Sequence, residues 1–225
     1  MCPAVHINST LARSATLSQS LERSFPARLI SQAGPVPLTE AEIRTDLADL
    51  EQHRSRLVDA GVLALGLEPP LPTKRFDETT QRVLAVYIRD TKEKLAVFDD
   101  LLARIELIKS IVDSRFLHKA LFVDREAGFV LKARDGGPVE LSDLSSGEQH
   151  ELVLLYELLF RAPPGTLILI DEPELSLHIA WQQQFLRDLL KITRLAGLQA
   201  LIATHSPQII HDRWDLTVEL VGSSR

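Results

Sequence analysis

Apolar positions recur at helical spacing through the first half of the chain and gather into short unbroken runs in the second. Over residues 1–38 the pattern is irregular. Leu11, Leu17, Leu21, Phe25 and Leu29 suggest a turn or two of helix interrupted at Pro26, and Gly34-Pro35-Val36-Pro37 reads as a linker. Thr39 stands three residues before Glu42, the spacing of a capping box, and Ile43, Leu47, Leu50, Leu57 and Val58 follow at helical spacing up to a stop at Gly61. Pro69, Pro70 and Pro72 mark a second break. Over 76–116 neither Gly nor Pro occurs, while Leu84, Tyr87, Thr91, Lys94, Phe98, Leu101, Ile105, Ile108 and Val112 alternate by three and four. That heptad-like spacing predicts one long helix. Its two polar members, Thr91 and Lys94, favour packing on neighbouring helices over a free coiled-coil arm.

The pattern changes after residue 118. Residues 120–123 and 129–133 read as strands joined by a turn at 125–128, and Gly136-Gly137-Pro138 as a further turn. A helix is predicted over 145–161, bounded by Pro163-Pro164-Gly165. The run 166–170 has the form of a buried parallel strand, 179–196 of a helix stopping at Gly197, and 198–204 of a second buried strand. Ser206-Pro207 opens a short helix, and 216–221 suggests a final strand. Strand and helix in alternation argue an α/β layer with crossover helices. The expected division is a helical region or arm over 1–118 and an α/β region over 119–225.

Composition narrows this picture only a little. The 225 residues carry a net charge of −6, so the whole chain shows no basic surplus for nucleic acid, though a local basic face stays open. A single cysteine, Cys2, permits no disulfide framework within the chain, and it reads as an incidental thiol. No apolar run approaches the roughly 20 residues of a membrane span, and the N-terminus lacks an apolar signal core, so a cytoplasmic protein is expected.

Three segments carry candidate chemistry. In Leu144-Ser145-Ser146-Gly147-Glu148-Gln149, Ser145 and Glu148 have capping-box spacing, and the free amides of a helix start favour an anion. An ordinary capped helix explains the same residues. In Leu167-Ile168-Leu169-Ile170-Asp171-Glu172-Pro173, a strand ends in two acids where ligands of open α/β sheets bind. Asp171 would hold magnesium through water, and Glu172 would orient or deprotonate an attacking water. A solvated acidic turn is the plainer alternative. In Ala203-Thr204-His205-Ser206-Pro207, adjacent parallel strands would bring His205 near Glu172, where a neutral imidazole can meet a terminal phosphate; a structural histidine is the alternative.

Taken together, their order resembles the signature, Walker B strand, D-loop (Glu174-Leu175-Ser176-Leu177-His178) and switch histidine of ABC-type ATPases. The local variants are similar to bacterial AAA family ATPases related to overcoming-lysogenization and RecF-type proteins. Gln149-His150-Glu151-Leu152, Trp181-Gln182, Trp214-Asp215-Leu216 and the stretch from Ser18 to Pro26 resemble one bacterial subgroup of these, so the resemblance covers nearly the whole chain. It implies a P-loop NTPase head of ABC type, its C-terminal half with a mainly parallel sheet preceded by a long helical arm. It also implies ATP and Mg2+ as ligands and ATP hydrolysis between two heads. By the same resemblance Ser145, Ser146, Gly147, Glu148 and Gln149 would face a partner's nucleotide, Asp171 would serve magnesium, Glu172 the water and His205 the γ-phosphate.

The phosphate loop G-x-x-x-x-G-K-[ST] is missing: no Gly is followed by Lys. The resemblance therefore implies a chain beginning after the first strands of the head, deficient in hydrolysis by itself, and working as a homodimer or with a complementary half. Service in DNA transactions or phage defence is the analogy the relatives suggest. The alternative is a non-catalytic interaction protein using the helical arm and the signature helix.

Overall fold

A computed structural model describes residues 4–31, 38–66, 75–124 and 127–218. The linker read at 34–37, the proline break at 69–72 and Cys2 lie outside them. The chain divides into two compact units, one of residues 1–106 with 122–130 and one of residues 107–121 with 131–225.

The first unit is built from helices. Helix α1 (Ala4–Ile30) runs for 27 residues straight through Pro26, where one or two interrupted turns were expected. Pro26 lacks the N–H that would reach back one turn, and only Ala27 to Ile30 of the helix follow it. The end is also held from outside. Arg28 Nη2 donates to the Leu21 carbonyl at 2.6 Å and to Asp90 Oδ2 of the third helix at 2.7 Å.

Helix α2 (Glu40–Asp59) starts as the sequence predicts. The Glu42 amide donates to Thr39 Oγ1, and the Thr39 amide donates back to Glu42 Oε2 at 2.8 Å. It stops at Gly61, whose φ of +72° suits glycine. The amides of Gly61 and Val62 donate to the carbonyls of Val58 and Leu57, closing the last turn.

The predicted single helix over 76–116 is two, α3 (Glu78–Ala96) and α4 (Asp99–Arg115), parted at Val97-Phe98. There the Phe98 amide donates to Leu95, three residues back, and both side chains are buried. A tightened turn thus separates the two helices, with Leu95 and Phe98 in the core on either side of the break. Helix α3 packs on α1 and α2 through Val86, Ile88 and Leu95, while Tyr87 of the supposed seam is exposed. Helix α3 thus packs on neighbouring helices, the reading its polar positions favoured over a free coiled-coil arm. In α4 the seam positions Leu101, Ile105, Ile108 and Val112 are all buried, as read.

The second unit holds the strand-end chemistry. Strands β1 (Lys119–Asp124), β2 (Gly128–Ala133) and β3 (Pro138–Val139) form one sheet in that order, with β2 and β3 antiparallel and Leu131 opposite Val139. The outer ends of β1 and β2 belong to the first unit. Helix α5 (Ser146–Tyr156) continues into a wider π turn, Glu157–Arg161. Strand β4 (Leu167–Asp171) leads through a 3₁₀ turn, Pro173–Ser176, to helix α6 (Ile179–Ala196), which ends at Gly197 and returns to β5 (Gln199–Ala203). Strands β4 and β5 pair in parallel from Leu167 opposite Gln199 to Asp171 opposite Ala203. A short helix α7 (Pro207–Ile210) follows.

Three sequence expectations change here. Among the described residues parallel pairing is confined to β4 and β5, so the mainly parallel sheet becomes a helix-rich α/β fold with two small sheets. The strands read as buried on both faces are covered on one. Ile168, Ile170 and Ile202 are half-buried, whereas Leu169 and Leu201 are 70% and 63% exposed. The final strand expected at 216–221 starts instead with a 3₁₀ turn, Trp214–Leu216, and its last residues lie outside the described ones.

Candidate functional site

Strands β4 and β5 end side by side, and the loops that leave them carry the acids and the imidazole. The Glu172 amide donates to the Ala203 carbonyl at 2.8 Å, extending the pairing one residue beyond the strands. Glu172 itself sits in the left-handed region at φ 46° and ψ 53°, a conformation that costs a branched-off side chain of this size energy and recurs at functional turns. Pro173 then starts the 3₁₀ turn. From the neighbouring strand end His205 brings its Nε2 to 3.2 Å from Glu172 Oε1, and the imidazole is otherwise 94% exposed. Asp171 is exposed at the end of β4 beside them.

A third carboxylate, Glu174, holds this corner. It accepts from the Thr204 hydroxyl at 2.6 Å and from the amides of His205 and Ser206, each at 3.0 Å. Burial pushes the Glu174 carboxyl up, but the Thr204 hydroxyl and the backbone donors outweigh it and leave it below the ordinary carboxylate value. Glu172 moves the other way. Desolvation and the hydrogen-bonded carboxyl of Glu174 raise it, against the pull of His205. A carboxyl raised in this way is a better proton acceptor when ionised.

The signature segment forms the start of α5. The Ser145 hydroxyl accepts from the Glu148 amide, and Glu148 Oε2 accepts from the Ser145 amide at 2.9 Å, so the predicted capping box is present. Glu148 also receives Lys119 Nζ at 2.8 Å and is only 7% exposed. Burial raises its carboxyl, and the Lys119 and Ser145 donors together bring it below the ordinary value. Gln149 Nε2 donates to the carbonyls of Leu141 and Leu144, fixing the preceding turn. Ser146 is exposed and Gly147 half-buried.

Ser145, Ser146 and Gly147 border a cleft of about 930 Å³ shared with Arg115, His178, Trp181 and Lys191. The Trp181 ring stacks on Phe116 with centroids 5.9 Å apart. Arg115 is buried between Glu151 of α5 and Asp188 of α6 and pairs with both, joining α4, α5 and α6 by one guanidinium.

The structure therefore unites Glu172 and His205 with Asp171 beside them, and sets Ser145, Ser146 and Gly147 apart in the cleft. Glu148 and Gln149 have their side chains engaged within the chain. Among the described residues no group of three or more His, Cys, Asp or Glu is arranged to hold a metal ion. Sequence reasoning missed the roles of Glu174, Thr204, Gln182 and Arg115. The repeat of Glu on either side of Pro173 was the available signal for the first; Arg115 gave none, since its partners lie far away in sequence.

One apolar strand ending in two acids, beside a parallel strand followed by an imidazole, sits in a helix-rich α/β protein with two small sheets. The family model described as "AAA domain, putative AbiEii toxin, Type IV TA system" matches residues 17–211, and the chain belongs to that family of P-loop NTPases, whose members are ATPases. A 70-residue stretch is 40% identical to the UvrABC system protein A of Chlamydia pneumoniae, covering 31% of this chain and 4% of that protein's length. The resemblance seen in the motifs thus stands at the level of the family. No helix among the described residues is long and apolar enough to cross a membrane.

Proposed function

We propose that this chain supplies the signature, Walker B, D-loop and switch-histidine part of an ABC-type ATPase head that binds Mg·ATP and hydrolyses it to ADP and phosphate. The observation that carries the proposal is the meeting of Glu172 and His205 at 3.2 Å where two parallel strands end. When bound, Mg·ATP supplies the phosphoryl group and the cation that neutralises its charge. Asp171 would hold the cation, which would neutralise charge on the phosphates. Glu172 aligns the attacking water and takes its proton, which its raised carboxyl favours. His205, exposed at the loop crest, is free to turn toward the terminal phosphate. Phosphoryl transfer asks for positioning and charge stabilisation more than for covalent chemistry, and these groups provide positioning.

The phosphate cradle has to come from a loop this sequence does not contain, so the chain works with a complementary segment that supplies it, within a pair of heads. Ser145, Ser146 and Gly147, at the open start of α5, then face the nucleotide of the second head. Glu148 and Gln149 serve by fixing that helix start. The toxin-linked description of the family supports a switch in a defence system.

Equilibrium binding of ATP, with and without magnesium, tests the assignment in the chain combined with a polypeptide bearing the G-x-x-x-x-G-K-[ST] loop. Asp171→Asn is expected to lower the affinity gained from magnesium at least about tenfold and to leave metal-free binding unchanged. Failure of the combined protein to bind ATP, or an unaltered magnesium gain in Asp171→Asn, would overturn it.

A further inference from the structure

The loop after β5 carries the exposed His205, whose imidazole pairs with Glu172 among the described residues. An exposed ring on a loop does not stay in register with a strand-end carboxylate by itself; something must fix its backbone. That role falls to Glu174. Its two oxygens collect the Thr204 hydroxyl at 2.6 and 2.7 Å and the amides of His205 and Ser206 at 3.0 Å, three consecutive residues taken by one carboxylate. The Ser206 amide also donates to Thr204 Oγ1 at 3.0 Å, closing the loop on itself. Glu174 is anchored in turn. Gln182 of α6 donates to the Glu174 and Leu177 carbonyls at 3.3 Å and accepts from the Ser206 hydroxyl at 3.3 Å. The 3₁₀ turn after β4, the first turns of α6 and the loop after β5 are thus tied by two side chains.

We infer that Glu174 is the positioning residue of this corner, clamping Thr204, His205 and Ser206 so that the imidazole meets Glu172. The inference rests on the reading of Glu172 and His205 as the reacting pair. Bonds to an ionised carboxylate are the strong class, and three donors on one carboxylate leave the loop little freedom while it is present. Without it, the Thr204 hydroxyl and the His205 amide lose their acceptor, the Ser206 amide keeps only Thr204 Oγ1, and His205 keeps only its weak hold on Glu172.

The test is made on the full chain without nucleotide, so it stands whether or not ATP is the substrate. In 15N-labelled protein, amide exchange at His205 and Ser206 and the imidazole Nε2 signal of His205 are followed in the parent, Glu172→Gln, Glu174→Ala and Glu174→Gln. Glu174→Ala is expected to speed exchange at His205 and Ser206 about tenfold or more, while Leu201 and Ile202 of β5 keep their rates. It should also move the His205 Nε2 signal in the direction that Glu172→Gln moves it. Glu174→Gln retains one acceptor oxygen and should recover part of both effects, and it answers the question if the alanine variant folds poorly. Unchanged exchange and an unmoved imidazole signal in a folded Glu174 variant would overturn the inference. If the clamp is present yet the combined protein binds no ATP, the functional proposal fails and the clamp stands.

Discussion

Ser145 uses one hydroxyl twice, accepting from the Glu148 amide and donating to the Glu148 carboxylate at 3.1 Å. Replacing it by Ala should cost about 1 kcal/mol, the usual worth of an N-cap, measured by denaturant unfolding. Glu148 ties stability to pH. Its folded carboxyl is lowered, so the unfolded chain binds the proton more readily. The stability it contributes is complete above the ordinary carboxyl value of about 4.3 and is lost as pH falls through the lowered one. Melting temperatures between about pH 6 and pH 3 should therefore fall less steeply in Glu148→Gln than in the parent; parallel curves would contradict the Lys119 and Ser145 contacts as the cause. Both residues were legible because a capping box is written in four adjacent positions. Glu174 was not, since its donors come from thirty residues further along and only the fold brings them near.

Elements announced by local chemistry appear where the sequence puts them. Helix α2 has its box at Thr39 and its left-handed stop at Gly61, and α6 ends at Gly197 with φ +68°. Elements decided by packing do not. The break between α3 and α4 has neither Gly nor Pro to announce it, and the residues at it, Leu95 and Phe98, are both buried. Helix α1 survives its proline because Arg28 reaches Leu21 and Asp90. The same dependence on distant partners governs Arg115, which joins three helices inside the second unit. Burial lowers its guanidinium, and Asp188 offsets part of that loss. Glu151 Oε2 is buried without a partner of its own, so removing the cation leaves two acids facing each other. Arg115→Ala should cost about 3–5 kcal/mol in chemical unfolding, and Arg115→Met combined with Glu151→Met should recover most of it. A loss below about 1 kcal/mol in the single variant would show that the triad holds nothing together.

At the scale of the molecule, the alternation of β4 and β5 matters most. The sequence reads as apolar on both faces, and the structure covers one; Leu169 and Leu201 stand out on the other, and among the described residues these strands pair only with each other. Parallel strands are ordinarily covered on both faces, and open edges recruit further strands. The chain alone should therefore self-associate with rising concentration, and Leu169→Lys with Leu201→Lys should suppress this in sedimentation velocity. A parent chain that stays monomeric throughout would contradict it. The strand-end chemistry was readable because each motif is written in adjacent residues, whereas the phosphate loop is not in the sequence at all.

Single-turnover hydrolysis bears most directly on the account. The chain, combined with a polypeptide carrying the phosphate loop and saturated with Mg·ATP, is compared with its Glu172→Gln variant at equal nucleotide occupancy. Loss of a general base predicts a rate at least about a hundredfold lower with occupancy unchanged. Equal rates in the two proteins would contradict the role given to Glu172 at the end of β4.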